Sequence, residues 1–233
     1  MQKAKPRRPG PPKAFDADVA LKAAMFVFWR KGFDGATLSD LTRAMGINRP
    51  SLYATFGDKE SLFSQAINRY GEQGQAVLGK CEFAVTARQF VEKLLRTQVG
   101  FYTEPGQPPG CFFIQGAIAS GASKFAQETT RERRIFNEQA LAARLSRGDW
   151  PEQIPTGFTP KELAAYIASI ANGMAIRAAD GASRHDLYRV VELALAFWPE
   201  HAAAASRKRK ERTPASRASS KQPPARKRPR KPQ

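Results

Sequence analysis

The chain is poor in the residues from which catalytic and metal centres are commonly built. Its 233 residues include two histidines, His185 and His201, and two cysteines, Cys81 and Cys111. Neither histidine has a Cys or carboxylate neighbour at metal-ligand spacing, so no metal site is expected. Two cysteines are too few for a disulfide framework. No Gly-rich phosphate loop and no nucleophile motif occur, and neither an enzymatic role nor a cofactor is expected. No uninterrupted apolar run approaches the ~18 residues of a membrane span. Residues 1–14 are basic and Pro-rich, without the apolar stretch of a secretory signal. These absences predict a reduced, cytoplasmic setting and no membrane partner.

Acidic residues are also scarce, 21 against 38 Lys and Arg, which leaves a net charge of +17. The imbalance is local. Residues 1–14 hold five basic residues and no acid; residues 206–233 hold twelve, with Glu211 alone against them. Subtracting +5 and +11 from +17 leaves +1 for residues 15–205. Both tails are rich in Pro, Ser and charge and poor in apolar side chains, so disorder is expected over 1–14 and 201–233. A cationic arm contacts phosphates through counterion release, which adds affinity without base specificity. That role suits the N-terminal arm, beside the module described next. For the C-terminal tail, DNA contact and a solubilising role stand open together.

Residues 33–62 carry the most specific pattern. Thr37 and Asp40 are spaced as a capping box, and Leu38 and Leu41 share the face of the helix they open, with Ala44 and Met45 following. Gly46 suits the left-handed turn that ends such a helix. Asn48 is spaced to cap a second helix with Arg49 and Pro50 in its first turn. Leu52 and Phe56 face inward at i and i+4, which leaves Arg49, Pro50, Ser51, Tyr53, Ala54 and Thr55 outward. Two short helices with a polar second member form a helix-turn-helix, which presents the start of its second helix to the major groove.

The order Gly32-Phe33, Thr37-Leu38, Leu41, Ala44-Met45-Gly46-Ile47, Ser51-Leu52-Tyr53, Phe56, Lys59-Glu60 and Leu62 resembles the DNA-binding signature of TetR-type bacterial regulators. The likeness covers about the first third of the chain. It implies an all-α fold, with a three-helix headpiece over 15–57 and a helical ligand-binding and dimerisation domain over 58–200. Periodicity gives the same class: helices over about 16–31, 58–81, 86–102, 111–121, 124–147, 160–179 and 184–198, with no alternating strand pattern. The function implied is a dimeric regulator, a repressor in the family's usual mode, that binds a palindromic double-stranded operator in the bacterial nucleoid and is released by a small-molecule effector. An architectural protein coating DNA through its tails is the alternative.

Thr37, Tyr53 and Lys59 suit phosphate contact; Arg49, Pro50 and Ser51 suit base reading, with Asn48 and Thr55 beside them. Arg49 serves equally as a phosphate contact, and Asn48 as a cap. The family likeness makes Phe101, Tyr102, Phe112, Phe113, Phe125, Tyr166 and Met174 candidates to line an effector pocket, although each aromatic also reads as plain core. No charged residue stands out as a ligand anchor. Ile167, Ile170, Met174, Leu193 and Phe197 are candidates for the dimer interface. Cys111, directly after Pro108-Pro109-Gly110 and at a helix start, reads as a thiol whose pKa the helix dipole lowers. Its alternative is a small buried hydrophobe. A Gly-Cys pair before an apolar helix resembles TetR-type regulators that sense electrophiles or oxidants.

Removal of residues 206–233 is expected to leave folding intact, because that segment has almost nothing apolar to bury. If the tail touches DNA, its removal flattens the slope of log affinity against log salt by ~0.9 for each phosphate it had neutralised. Titrating salt against random-sequence DNA checks this, and an unchanged slope assigns the tail another role.

Overall fold

The computed structural model describes residues 15–79, 81, 84–119, 121, 123–147, 150, 154–196 and 198. The expectations for residues 1–14, 201–233 and Phe197 lie outside the described residues. The described part is helical, with no strand among its residues: α1 (Ala17–Gly35), α2 (Leu38–Met45), α3 (Arg49–Phe56), α4 (Lys59–Gly79), α5 (Ala87–Tyr102), α6 (Phe112–Ala119), α7 (Lys124–Leu145), α8 (Pro160–Ala179) and α9 (Arg184–Leu195). The Phe112-Phe113-Ile114 run opens α6, so its β-rich composition yields to the Ala- and Gly-rich continuation. No helix of the described residues is long and apolar enough to cross a membrane.

Local chemistry sets each boundary of the first three helices. Asp16 caps α1 by accepting from the Asp18 and Val19 amides, and regular helix stops at Gly32, which adopts φ 66° and ψ 178°. Thr37 and Asp40 form the reciprocal capping box: Thr37 Oγ1 accepts from the Asp40 amide at 3.1 Å, and Asp40 Oδ2 accepts from the Thr37 amide at 3.2 Å. Gly46 closes α2 at φ 67°, ψ 25°, a left-handed conformation in which a Cβ is disfavoured. Asn48 Oδ1 accepts from the Ser51 amide at 2.8 Å and starts α3.

Packing then joins these helices to the rest. Leu41 and Leu52 are fully buried where α2 crosses α3, with Met45 and Phe56 beside them; Leu38 is half-buried and Ala44 exposed. Phe28, Trp29 and Phe63 project from α1 and α4 into a single aromatic core that also takes Tyr70 and Phe112. α1 packs against α2, α4 and α6; α7 lies between α6 and α8; α5 packs against α8 and α9. Outside the core, Asp34 Oδ2 accepts from the Ser123 amide at 3.1 Å, and Arg69 pairs with Asp18.

Asp40 carries one load beyond its cap. Lys31 Nζ lies 2.9 Å from its Oδ2. This ammonium, with the Thr37 hydroxyl and amide, holds the Asp40 carboxyl at about 2. An unfolded Asp titrates near ~3.9. A depressed folded pKa stabilises the fold above the unfolded value, and that contribution disappears as pH falls toward 2. Asp40→Asn is expected to melt at a lower temperature at neutral pH and to show a flatter melting-temperature curve between about pH 4 and pH 2. Thermal melts across that window check it; parallel curves would mean the carboxylate is not linked to folding.

Candidate nucleic-acid interface and internal cavity

The caps and buried leucines leave α3 with one free side. Arg49, Pro50, Tyr53, Ala54 and Thr55 are exposed, Tyr53 by 49%, and Ser51 is half-buried. Arg49 reaches back to α2, where its Nη2 donates to Ser39 Oγ at 3.1 Å. This bond steadies the guanidinium beside the N-terminus of α3. Thr37 and Asn48 sit exposed at the starts of α2 and α3, each engaged as a cap. Lys59, at the start of α4, lies half-buried with Nζ 4.5 Å from the Phe33 ring centroid. Burial lowers its pKa, opposed by Asp34. The expected readers are thus exposed or half-buried, at the starts of α2, α3 and α4 and along the free side of α3.

A cavity of about 310 Å³ lies between α4, α5, α6, α7 and α8. Tyr70, Tyr102, Cys111, Phe113 and Ile167 form its buried parts, while Arg131, Ile135 and Asn137 line it from the exposed side of α7. Its mouth therefore runs along α7. Gln98, Arg134, Glu138 and Asn172 add polar groups. Gln115 braces the inner side, because its Oε1 accepts from the Cys111 amide at 2.6 Å and its Nε2 donates to the Ala175 carbonyl at 3.2 Å.

Only part of the expected lining stands here. Phe101, Tyr102 and Phe113 do. Phe112 turns the other way, to Trp29 and Phe63, with centroids at 5.9 and 5.8 Å. Phe125 packs on Phe33 at 5.6 Å, and Met174 is buried core away from the lining. Tyr166 lies on the outer face of α8, its hydroxyl donating to the Ala194 carbonyl at 3.3 Å. The expected dimer face is divided too. Ile167 and Met174 are buried within this chain, Ile170 is half-buried, and Leu193 is 70% exposed. An apolar stripe fixes a helix face but not which neighbour covers it. Sequence reasoning missed Arg134, since the Arg131-to-Glu138 segment has the composition of a solvated helix face, and Gln98, one of several polar residues on the amphipathic α5.

Comparison with known proteins supplies the family. A family model described as bacterial regulatory proteins, tetR family, matches residues 20–66. The HTH-type transcriptional repressor ComR of Escherichia coli is 33% identical over 197 residues, 82% of this chain and 92% of that protein. The chain belongs to the TetR family. The HTH-type transcriptional repressor BdcR of Escherichia coli is 33% identical over 117 residues, 50% of this chain and 59% of its own length. A cysteine-substituted mutant of the TetR family regulator CifR, solved with a 26-bp double-strand operator DNA, is 36% identical, with a TM-score of 0.75. That match covers 82% of this chain and 100% of CifR. The protein is thus a helix-turn-helix transcriptional regulator of TetR type, all-α, with an N-terminal DNA-binding headpiece and a C-terminal helical region.

Within this TetR fold Cys111 is buried, in line with its reading as a small hydrophobe and against that of an activated thiol. The Phe113 and Ile114 amides do point to the thiol, and Tyr70 adds a hydrogen bond. Burial nevertheless outweighs them and pushes the Cys111 thiol up, contrary to the lowering expected from the helix start. Low dielectric disfavours a thiolate more than two amides favour it. At neutral pH, native Cys111 is expected to react with iodoacetamide more slowly than the same thiol after denaturation in urea. Mass-spectrometric labelling rates check this. Equal or faster native labelling would mean that the thiol is activated in the fold.

Proposed function

We propose that the protein is a cytoplasmic repressor that binds a two-fold operator as a homodimer and is released when a small molecule occupies the cavity. The observation that carries this reading is the outward surface of α3, rigidly capped and left exposed by the rest of the described residues, on a chain whose relatives ComR and BdcR are named as repressors. CifR's operator complex supports double-stranded operator DNA as the partner. Residues 15–57 serve as the reading head and residues 58–200 as the effector and pairing region. The family membership and the sparse histidine and cysteine content favour regulation over catalysis.

A two-fold operator needs two reading helices about 34–36 Å apart, one per successive major groove. The exposed apolar side chains Tyr166, Ile176 and Leu193 of α8 and α9 suit the pairing surface. Arg49 forks onto a guanine while Ser39 steadies it, and Pro50 packs against a thymine methyl. Thr37, Tyr53 and Lys59 hold phosphates, with Asn48, Ser51 and Thr55 completing the surface. An effector acts through α6, because Phe113 lines the cavity while the adjacent Phe112 packs on the α1 and α4 aromatics.

Nuclease footprinting on DNA upstream of the protein's own gene is expected to show one short, two-fold protected site. Uniform coating would favour the architectural alternative. Arg49→Ala is expected to weaken operator binding by about tenfold or more and relax preference at one base pair per half-site. Lys59→Ala, which also strips Phe33 of its cover, is expected to weaken all sequences alike. If Lys59→Ala altered sequence preference and Arg49→Ala did not, the two roles would be reversed.

A further inference from the structure

The cavity contains a cation that no acid among the described residues answers. Arg134 is half-buried on α7 and donates from Nη1 to the neutral Phe113 carbonyl at 2.8 Å. No carboxylate among the described residues forms an ion pair with it. Arg131, three residues earlier, is taken by Glu128 at 2.9 Å. Glu138, one turn further on, lines the same cavity without pairing with Arg134. A guanidinium partly withdrawn from water is stabilised best by an anion bound through paired N–H groups.

A second, independent feature points to a ligand. The Oε1 atom of Gln98 is buried and has no hydrogen-bond partner among the described residues, and Gln98 lines this cavity. This leaves a buried acceptor on the cavity wall for which a ligand donor would be a partner. The remaining walls are apolar, chiefly Leu94, Phe101, Tyr102 and Phe113.

We propose that the cavity takes a small, mostly apolar carboxylic acid bearing a second hydrogen-bonding group, with its carboxylate on Arg134 and that group at Gln98. This deepens, and rests on, the reading of the cavity as the effector site. The volume of about 310 Å³ lies at the lower end of ligand pockets, which span about 300–1,000 Å³, and suits a small ligand. A phosphate ester fits less well: its second charge meets no second unpaired cation among the described lining residues, and Glu138 repels it.

Calorimetric titration of the full-length protein without DNA tests the proposal, using para-hydroxyphenylacetate, phenylacetate, hexanoate and the primary amide of each. At least one acid is expected to bind about tenfold or more tightly than its amide, a difference of about 1.4 kcal/mol. Arg134→Gln is expected to bring that acid down to its amide's level with amide binding unchanged, and Arg134→Lys to keep part of the preference. Gln98→Leu is expected to weaken para-hydroxyphenylacetate more than phenylacetate. If acids and amides bind alike, or none binds, the proposal is overturned. The comparison in the unaltered protein decides even if Arg134→Gln does not fold. Footprinting with the same preparation separates the two readings. A discrete protected site without acid selectivity overturns this proposal alone, whereas acid selectivity without a discrete site overturns the regulator reading alone.

Discussion

The Phe112 ring is fully buried between the indole of Trp29 and the rings of Phe63 and Tyr70, with centroids 5.8 to 5.9 Å away. Trp29 comes from α1 and Phe63 and Tyr70 from α4, whereas Phe112 begins the helix whose next residue lines the cavity. Each such ring removes about 150–250 Å² from water and favours edge-to-face or offset contact with its neighbours. The interior is therefore one continuous close-packed body from reading head to cavity wall. Close-packed interiors do not deform smoothly, so a displacement of α6 has to be answered by α1 or α4. The helix caps fix the ends of α2 and α3, but these aromatic contacts fix where those two helices stand.

The headpiece was legible because its signals are local. A Thr and an Asp three residues apart, a Gly at a left-handed turn and an Asn before Arg-Pro specify backbone hydrogen bonds within a few residues of themselves. Leu41, Leu52 and Phe56 went inward for the same reason, since helical period alone selects that face. Thr86 and Thr159 also cap α5 and α8, although apolar periodicity, and not these caps, located those two helices in the sequence.

The cavity was not legible in this way, because its walls come from five helices far apart in sequence. Phe112 and Phe113 are adjacent and chemically identical, yet one enters the aromatic core and the other the cavity. That choice depends on where α1 and α4 lie, not on either residue. Ile167 and Met174 form part of an apolar stripe on α8 that could face a partner or the chain's own interior; α5, α7 and α9 already cover that side. Cys111 shows a contest of magnitudes that sequence cannot resolve. A helix start favours the thiolate and burial opposes it, and only the fold reveals that burial prevails.

Gly110 precedes Cys111 at φ 90°, with its amide donating to the Tyr102 carbonyl at 2.8 Å. A side chain added there would begin 2.6 Å from the Ala175 carbonyl of α8. The end of α5, the start of α6 and the C-terminal part of α8 are thus riveted at a point with no slack. The inner side of the cavity is a rigid frame, and the α7 side, with its exposed Ile135 and Asn137, is the door. On the proposed reading a molecule would be measured against the frame but admitted by the door, so size selection and access would be set by different parts of the chain, free to change separately.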